Sequence, residues 1–332
     1  MGYKDKRGAQ TIKEQFRREL LKMAAFGESK KAAVEAGTAD QKIFAHNTMK
    51  TYLRQARRYA DWLEEHYPEV GKLKKSRSHV SEYLQEMCSE PESSAWTVHT
   101  AAKALGKLFG IKPEDPDYFE PPKRKRSEIT RSRTRVERDR HFSETNNREL
   151  IEFCKSTGLR VSELRNLKGK NLTDRTTLLH LLDNPRLSPT YRGIIKDALA
   201  FEDVNYYVFT KGKGGRERLA PIVGPYTEQT VERIRNTKPD QKVWSHVHTS
   251  ADVHSYRADY ATQIYRRYAR CVEDIPYDAV NLGSGKRYQS DVYVCHIDER
   301  GRKLDRRAMR LCSKALGHNR ECIVADNYLR GL

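Results

Sequence analysis

The sequence has no apolar run approaching the roughly 18 residues of a membrane span, so no transmembrane segment is expected. Its first residues, MGYKDKRGAQ, are charged and hold no apolar h-region, which argues against a secretory signal. Lys6 stands where a myristoylation motif needs Ser or Thr. Cys88, Cys154, Cys271, Cys295, Cys312 and Cys322 form no CxxC or other zinc spacing. They read as reduced thiols of a cytoplasmic protein. His246, His248 and His254 lack a thiolate or carboxylate partner at ligand spacing, so no metal is expected. Internal repeats and low-complexity tracts are also missing.

Acidic residues are in short supply beside basic ones. Asp and Glu number 45 against 63 Lys and Arg, a net charge of +18. Such a balance points to a polyanionic partner, because each cation that neutralises a phosphate releases condensed counterions. An anionic membrane surface is the competing explanation, but no apolar anchor accompanies the charge. Nucleic acid is therefore the expected partner on charge alone. At 332 residues, 37% of them hydrophobic, the chain is expected to form two domains.

The first part is helical by its periodicity. Residues 11–26 carry Ile12, Phe16, Leu20 and Met23, with Thr11 and Glu14 in a capping-box pattern. This N-terminal extension, residues 1–40, is expected to pack on the domain that follows or on a neighbouring protomer. Residues 47–66 form the clearest amphipathic helix, with Asn47 as N-cap. Lys50, Arg54, Arg57 and Arg58 fall largely on its polar side and are candidate DNA contacts. Further helices are expected over 76–88 and 94–110, the second carrying Lys103 and Lys107. Together they make an all-helical domain over 41–111. Residues 112–141 then change character, with Pro113, Pro116, Pro121, Pro122 and a dense basic run. Lys123, Arg124, Lys125 and Arg126 are read as a linker strap on a DNA backbone, with a nuclear import signal as the alternative.

The second domain, residues 142–332, is expected to open at Ser143 with a helix that ends at Gly158. Arg160 follows beside that glycine, and Glu163 one turn on could orient its guanidinium. The stretch YYVFTKGKGGRERLAPI, residues 206–222, reads as a β-hairpin with a glycine-rich turn near Lys211, Lys213 and Arg216. In DVHSYRADYATQIYRRYAR, residues 252–270, His254 and Arg257 lie one helical turn apart and are expected to face one way. Tyr256, Tyr260, Ile264 and Tyr268 are expected to form a buried stripe. Near the end, KALGHNRECIVADNYLRGL carries His318 and Tyr328.

Taken in order, TGLRVSEL, KGKGGRER, HSYR and ALGH followed by a tyrosine resemble the tyrosine recombinase family of phage-integrase type. Each segment alone is unspecific; four in the family's order are not. The resemblance covers the chain from about residue 142 on, and the helical domain is similar to the family's core-binding domain by pattern only. It implies a mainly α fold with a small β-sheet: an all-helical core-binding domain plus a mixed α/β catalytic domain. It also implies roles. Arg160 and Arg257 match the arginines that grip the scissile phosphate. Lys213 matches the hairpin general acid, with Lys211 a second candidate. His254 and His318 match the histidines that bond the phosphate and assist proton transfer, and Tyr328 matches the nucleophile.

Elementary chemistry fits those roles. Two guanidinium forks can bind the non-bridging oxygens of a phosphodiester, which lysine does less well. A tyrosine is a poor nucleophile at its ordinary pKa of about 10, and a cationic pocket with a neutral imidazole favours the phenolate. A phosphotyrosine conserves the energy of the broken link, so neither ATP, a metal nor another cofactor is expected. Three features depart from the pattern. Ala258 stands where many relatives have histidine, residues 271–310 look like an insertion with a hairpin around Glu299–Gly301, and no helix is expected after Tyr328. The expected function is site-specific recombination or integration of a mobile element. The resemblance implies double-stranded DNA as the partner, with the protein acting on it as a homotetramer and an accessory directionality factor as a further candidate partner. A type IB topoisomerase-like relaxing activity and a non-catalytic DNA-binding regulator are the alternatives.

Overall fold

A computed structural model describes residues 11–124, 142–212, 215–275, 291–296, 299–318, 320–329 and 332. The chain divides into two compact units, Met1–Lys125 and Arg126–Leu332. It is mainly helical, with small antiparallel sheets in the second unit.

The first unit contains α1 (Ile12–Lys22), α2 (Lys30–Glu35), α3 (His46–His66), α4 (Leu73–Ser76), α5 (Val80–Ser89) and α6 (Ala95–Phe109). Thr11 accepts the amide of Glu14 at 3.3 Å and starts α1, whose Ile12, Phe16 and Leu20 are buried. Phe16 stacks on Tyr59 of α3 at 5.8 Å and meets Phe109 of α6 edge-on at 5.7 Å. The N-terminal helix is thus part of this unit's core. Ser94 caps α6 through the amide of Thr97, and Gly110 ends it at φ 67°.

Three details differ from expectation. The helix expected to be capped by Asn47 begins one residue earlier, after Ala45, and Asn47 lies in its first turn with its carbonyl accepting the hydroxyl of Thr51 at 2.9 Å. The helix expected over 76–88 is broken at Arg77–His79 by a 3₁₀ turn. There Ser76 is buried, and its carbonyl accepts the hydroxyl of Tyr59. Lys107 is half-buried, donating to the carbonyl of Ala39 at 3.1 Å, and burial holds its pKa below the usual lysine range. Lys50, Arg54, Arg57, Arg58 and Lys103 are exposed, as are Lys123 and Arg124. The Arg124 guanidinium lies 4.6 Å from the centre of the Trp96 ring. Lys125 and Arg126 lie outside the described residues.

The second unit opens with α7 (Arg148–Thr157), which starts five residues after Ser143, where the helix is expected to open. Ser143 explains the delay. Its hydroxyl accepts the amide of Asn146 at 3.2 Å and its carbonyl the side chain of Asn147 at 2.9 Å, which holds these residues in a turn. Next come α8 (Val161–Asn166), β1 (Leu172–Asp174), α9 (Arg175–Leu182), α10 (Pro189–Leu199), β2 (Tyr206–Lys211) and β3 (Glu217–Pro221). The expected hairpin is β2–β3, with Val208 opposite Ala220; β1, which pairs Leu172 with Val208, joins it as a third antiparallel strand. Alternation along β2 sends Tyr207 into one hydrophobic cluster and Val208 into another, so both faces of the sheet are covered.

The remaining elements are α11 (Thr227–Arg235), α12 (Val253–Tyr268), β4 (Val292–Val294), β5 (Lys303–Asp305), α13 (Arg306–Leu316) and α14 (Cys322–Asn327). Helix α12 runs between the two clusters, giving Tyr256 to one and Tyr260 and Ile264 to the other. Tyr268 is half-buried at its end. Strands β4 and β5 form the hairpin expected around Glu299–Gly301, with Gly301 at φ 90°. Asp305 caps α13 through the amide of Arg307 and is bound by Arg270, just beyond α12, at 2.9 Å and 3.0 Å. No described helix is long and apolar enough to cross a membrane.

Candidate active site

Gly158 closes α7 at φ 57°. A side chain there would collide with the ring of Tyr260, whose Cγ would lie 2.8 Å from an added Cβ. The chain can therefore turn sharply only with glycine at this position, and it delivers Arg160 two residues later. Glu163, at the third position of α8, reaches back to accept the backbone amide of Arg160 at 2.8 Å, and its other oxygen accepts Arg160 Nη1 at 2.8 Å.

Arg257 arrives from the opposite direction, on α12, and is only 1% exposed. Its Nη1 donates to the carbonyl of Gly158 and its Nη2 to that of Leu316. Arg160 Nη2 also donates to Leu316 O, at 3.3 Å. Leu316 is the last residue of α13, and Gly317 ends that helix at φ 69°. The amide of His318 then closes on Ser313 O at 2.8 Å, a C-cap that fixes where His318 leaves the helix. Tyr328 follows α14 and is buried. Its hydroxyl lies 3.2 Å from His318 Nε2 and 3.4 Å from Arg257 Nε.

Four of the expected residues, Arg160, Arg257, His318 and Tyr328, therefore meet around one point. His254 lies in the first turn of α12 and is exposed, whereas Arg257 is buried, so the two differ in burial despite their spacing. Lys213 lies outside the described residues. Gly212 before it sits against the Arg160–Glu163 pair, since an added Cβ would stand 2.8 Å from Glu163 Oε1 and 3.1 Å from Arg160 Nη1. Lys211 is exposed and pairs with Glu217 at 3.4 Å, and Arg216 is exposed.

Arg218 has no counterpart among the expected residues. It is 6% exposed and grips Glu163 with both terminal nitrogens, at 2.7 Å and 2.9 Å. The sequence carries no signal for it: Arg218 lies in the charge-rich run KGKGGRER, and its place opposite the buried Thr210 is visible only in the structure.

These cations set the local electrostatics. Burial alone would raise the Glu163 carboxyl, but the bonds and charge of Arg218, with those of Arg160, hold it down at about 2. Burial lowers Arg257 to about 10, and its neighbours Arg218 and Arg160 push the same way, yet it stays charged at neutral pH. Burial, then Arg257, Arg160, Arg218 and Arg216, bring His318 down to about 4. The imidazole is therefore neutral at pH 7 and able to accept a proton from the phenol beside it. A phenol, a neutral base and two guanidinium forks on one spot can bind a phosphoryl group and attack it. Among the described residues no cluster of His, Cys, Asp and Glu could hold a metal ion.

No family model matches the chain, and no curated protein matches it. It is similar to solved structures over nearly its whole length. The XerH site-specific recombinase bound to palindromic difH substrate, in a post-cleavage complex, is 14% identical with a TM-score of 0.46, over 97% of this chain and 91% of that one. The Tn1549 transposon integrase (aa 82–397) with circular intermediate DNA is 12% identical with a TM-score of 0.40, over 97% of both chains. The XerA recombinase is 13% identical with a TM-score of 0.26, over 91% of this chain and 93% of that one.

Proposed function

We propose that the protein is a site-specific DNA recombinase that cuts and rejoins strands through a 3′-phosphotyrosyl intermediate, serving integration and excision of a mobile element. The observation that carries this reading is the phenol of Tyr328, within 3.2 Å of His318 and 3.4 Å of Arg257, while Arg257 and Arg160 share one acceptor. The motif order that resembles tyrosine recombinases supports it independently.

In this reading Arg160 and Arg257 take the non-bridging oxygens of the scissile phosphate. The Tyr328 oxygen attacks phosphorus, a bond forms between them, and the 5′-oxygen departs. His318 accepts the phenol proton. Substrate itself would assist, because a bound phosphodiester offsets the positive charge that depresses His318. Lys213 donates a proton to the leaving 5′-oxygen, and His254 serves as an accessory donor to the phosphate. Religation is the reverse attack by a 5′-hydroxyl. Charge from Lys50, Arg54, Arg57, Arg58, Lys103, Lys123, Arg124, Lys125, Arg126, Lys211 and Arg216 holds the duplex, on which the protein assembles as a homotetramer. Lys107, bonded inward, contributes less than its exposed neighbours.

The test is a pool of nicked duplexes with randomised sequence around the nick, incubated with the protein and resolved in SDS. The expected result is a covalent protein–DNA adduct that mass spectrometry places on Tyr328 and that Tyr328→Phe abolishes. No adduct from the natural protein, or an equal yield from Tyr328→Phe, overturns the reading. Relaxation of plasmids without any selected sequence would point instead to a type IB topoisomerase. Tight DNA binding without an adduct would point to a regulator.

A further inference from the structure

Glu163 and Arg218 form an ion pair almost wholly withdrawn from water, with side-chain exposures of 0% and 7%. Such a pair costs much of its attraction in lost hydration, so stability alone is a weak reason for it. Its contacts give another reason. The carboxylate that Arg218 grips is the one that holds both the backbone amide and the guanidinium of Arg160. The remaining nitrogen of Arg218, Nε, donates to Ala315 O at 2.9 Å, one residue before the carbonyl that Arg160 and Arg257 share. Its Cδ would stand 3.0 Å from a Cβ added to Gly317, the residue before His318. One side chain on β3 thus joins the Arg160 turn to the end of α13.

We propose that Arg218 is a positioning residue for the strand-cleaving site, fixing Arg160 through Glu163 and fixing the Leu316–His318 turn through Ala315. The inference rests on the reading of Tyr328 as nucleophile given above. In this role Arg218 acts through Glu163 and Ala315 O, which its three nitrogens hold, and not through the phosphate. Lysine could keep the charge but not the two-pronged grip. Glutamine would remove both and leave Glu163 with Arg160 as its one cationic partner among the described residues.

Two readouts separate this role from simple structural support. The first needs no DNA: rotation of the Arg160 guanidinium, followed by NMR on the full-length protein with its signal assigned by loss in Arg160→Lys. Rotation is expected to quicken by about tenfold in Arg218→Gln, with Arg218→Lys between it and the natural protein. The second is the rate of covalent adduct on the nicked-duplex pool. It is expected to fall by about a hundredfold in Arg218→Gln and to be partly restored by lysine, while retention of the duplex in gel shifts is unchanged. Unaltered Arg160 rotation in Arg218→Gln overturns the proposal, whatever the adduct assay gives. So does a loss of adduct matched by an equal loss of DNA retention, with lysine no better than glutamine. Absence of adduct from the natural protein counts against the strand-cleaving reading, and the rotation measurement then still decides whether Arg218 positions Arg160. Should the glutamine variant fail to fold, the lysine variant carries the rotation measurement.

Discussion

Arg160 and Arg257 donate to one and the same oxygen, the carbonyl of Leu316. They arrive on different elements, one from the turn after α7 and the other from α12. Their forks are thereby brought to a common acceptor at the last residue of α13, beside the phenol of Tyr328. The proposed phosphate grip rests on that convergence, and it leads to defined outcomes for substitutions at each member.

Replacing either arginine by lysine keeps a charge and loses the planar fork. Adduct formation on the nicked-duplex pool should fall by roughly 10²–10³, equivalent to about 3–4 kcal/mol of transition-state stabilisation. Gel-shift affinity should change little, because in the proposed reading many other cations hold the duplex. A parallel loss of affinity would show that Arg257 and Arg160 serve general DNA binding.

The His318 ring should titrate near 4 in the free protein, well below its ordinary 6.5. A ring-proton NMR titration reads this directly. The sign for stability follows from linkage. The native state binds the proton less readily than the unfolded chain, so stability declines as pH falls from about 6.5 to 4. Replacement by glutamine should remove that slope from urea-unfolding measurements.

Glu163 acts in a lower window. Its carboxyl is held at about 2 against an ordinary 4.5, so its contribution is complete above about 4.5 and is lost as pH falls toward 2. Glu163→Gln should abolish this slope. At neutral pH it should cost about 3–5 kcal/mol, because Arg218 is left buried without its counter-charge. Replacing both members by methionine should recover much of the loss, as judged by chemical unfolding, yet should not recover adduct formation.

Gly158→Ala places a methyl group against Tyr260 in a left-handed backbone conformation. A destabilisation of about 3 kcal/mol is expected. Because Gly158 O also accepts from Arg257, the surviving folded protein should form adduct more slowly than its melting curve alone predicts. Single-turnover rates below the melting transition test this.

Much of the second unit was legible because its punctuation is local. Gly158 after an apolar helix and KGKGG between alternating residues need no distant partner to be read. The meeting of Arg160, Arg257, His318 and Tyr328 came from motif order, and the structure brings these residues together. What stayed hidden depends on partners far along the chain. Arg218 sits in a charge-rich string that reads as surface, and only Glu163 explains its burial. Strand β1 is three residues with no alternation of its own, ordered by pairing with β2. The break before α5 is set by Tyr59 on another helix, and the inward turn of Lys107 by a carbonyl at Ala39. Propensity within a window carries no trace of such contacts.

The grip of Arg270 on Asp305 ties the end of one helix directly to the start of another, across everything that lies between them in sequence. Stretches of different length and composition can therefore be spliced in between without shifting the helix that delivers Leu316 and His318. Evolution or an engineer could remodel that excursion, as one swaps an attachment on a locked bracket, provided the core side chains Cys295 and Leu304 and the Arg270 partner Asp291 are kept.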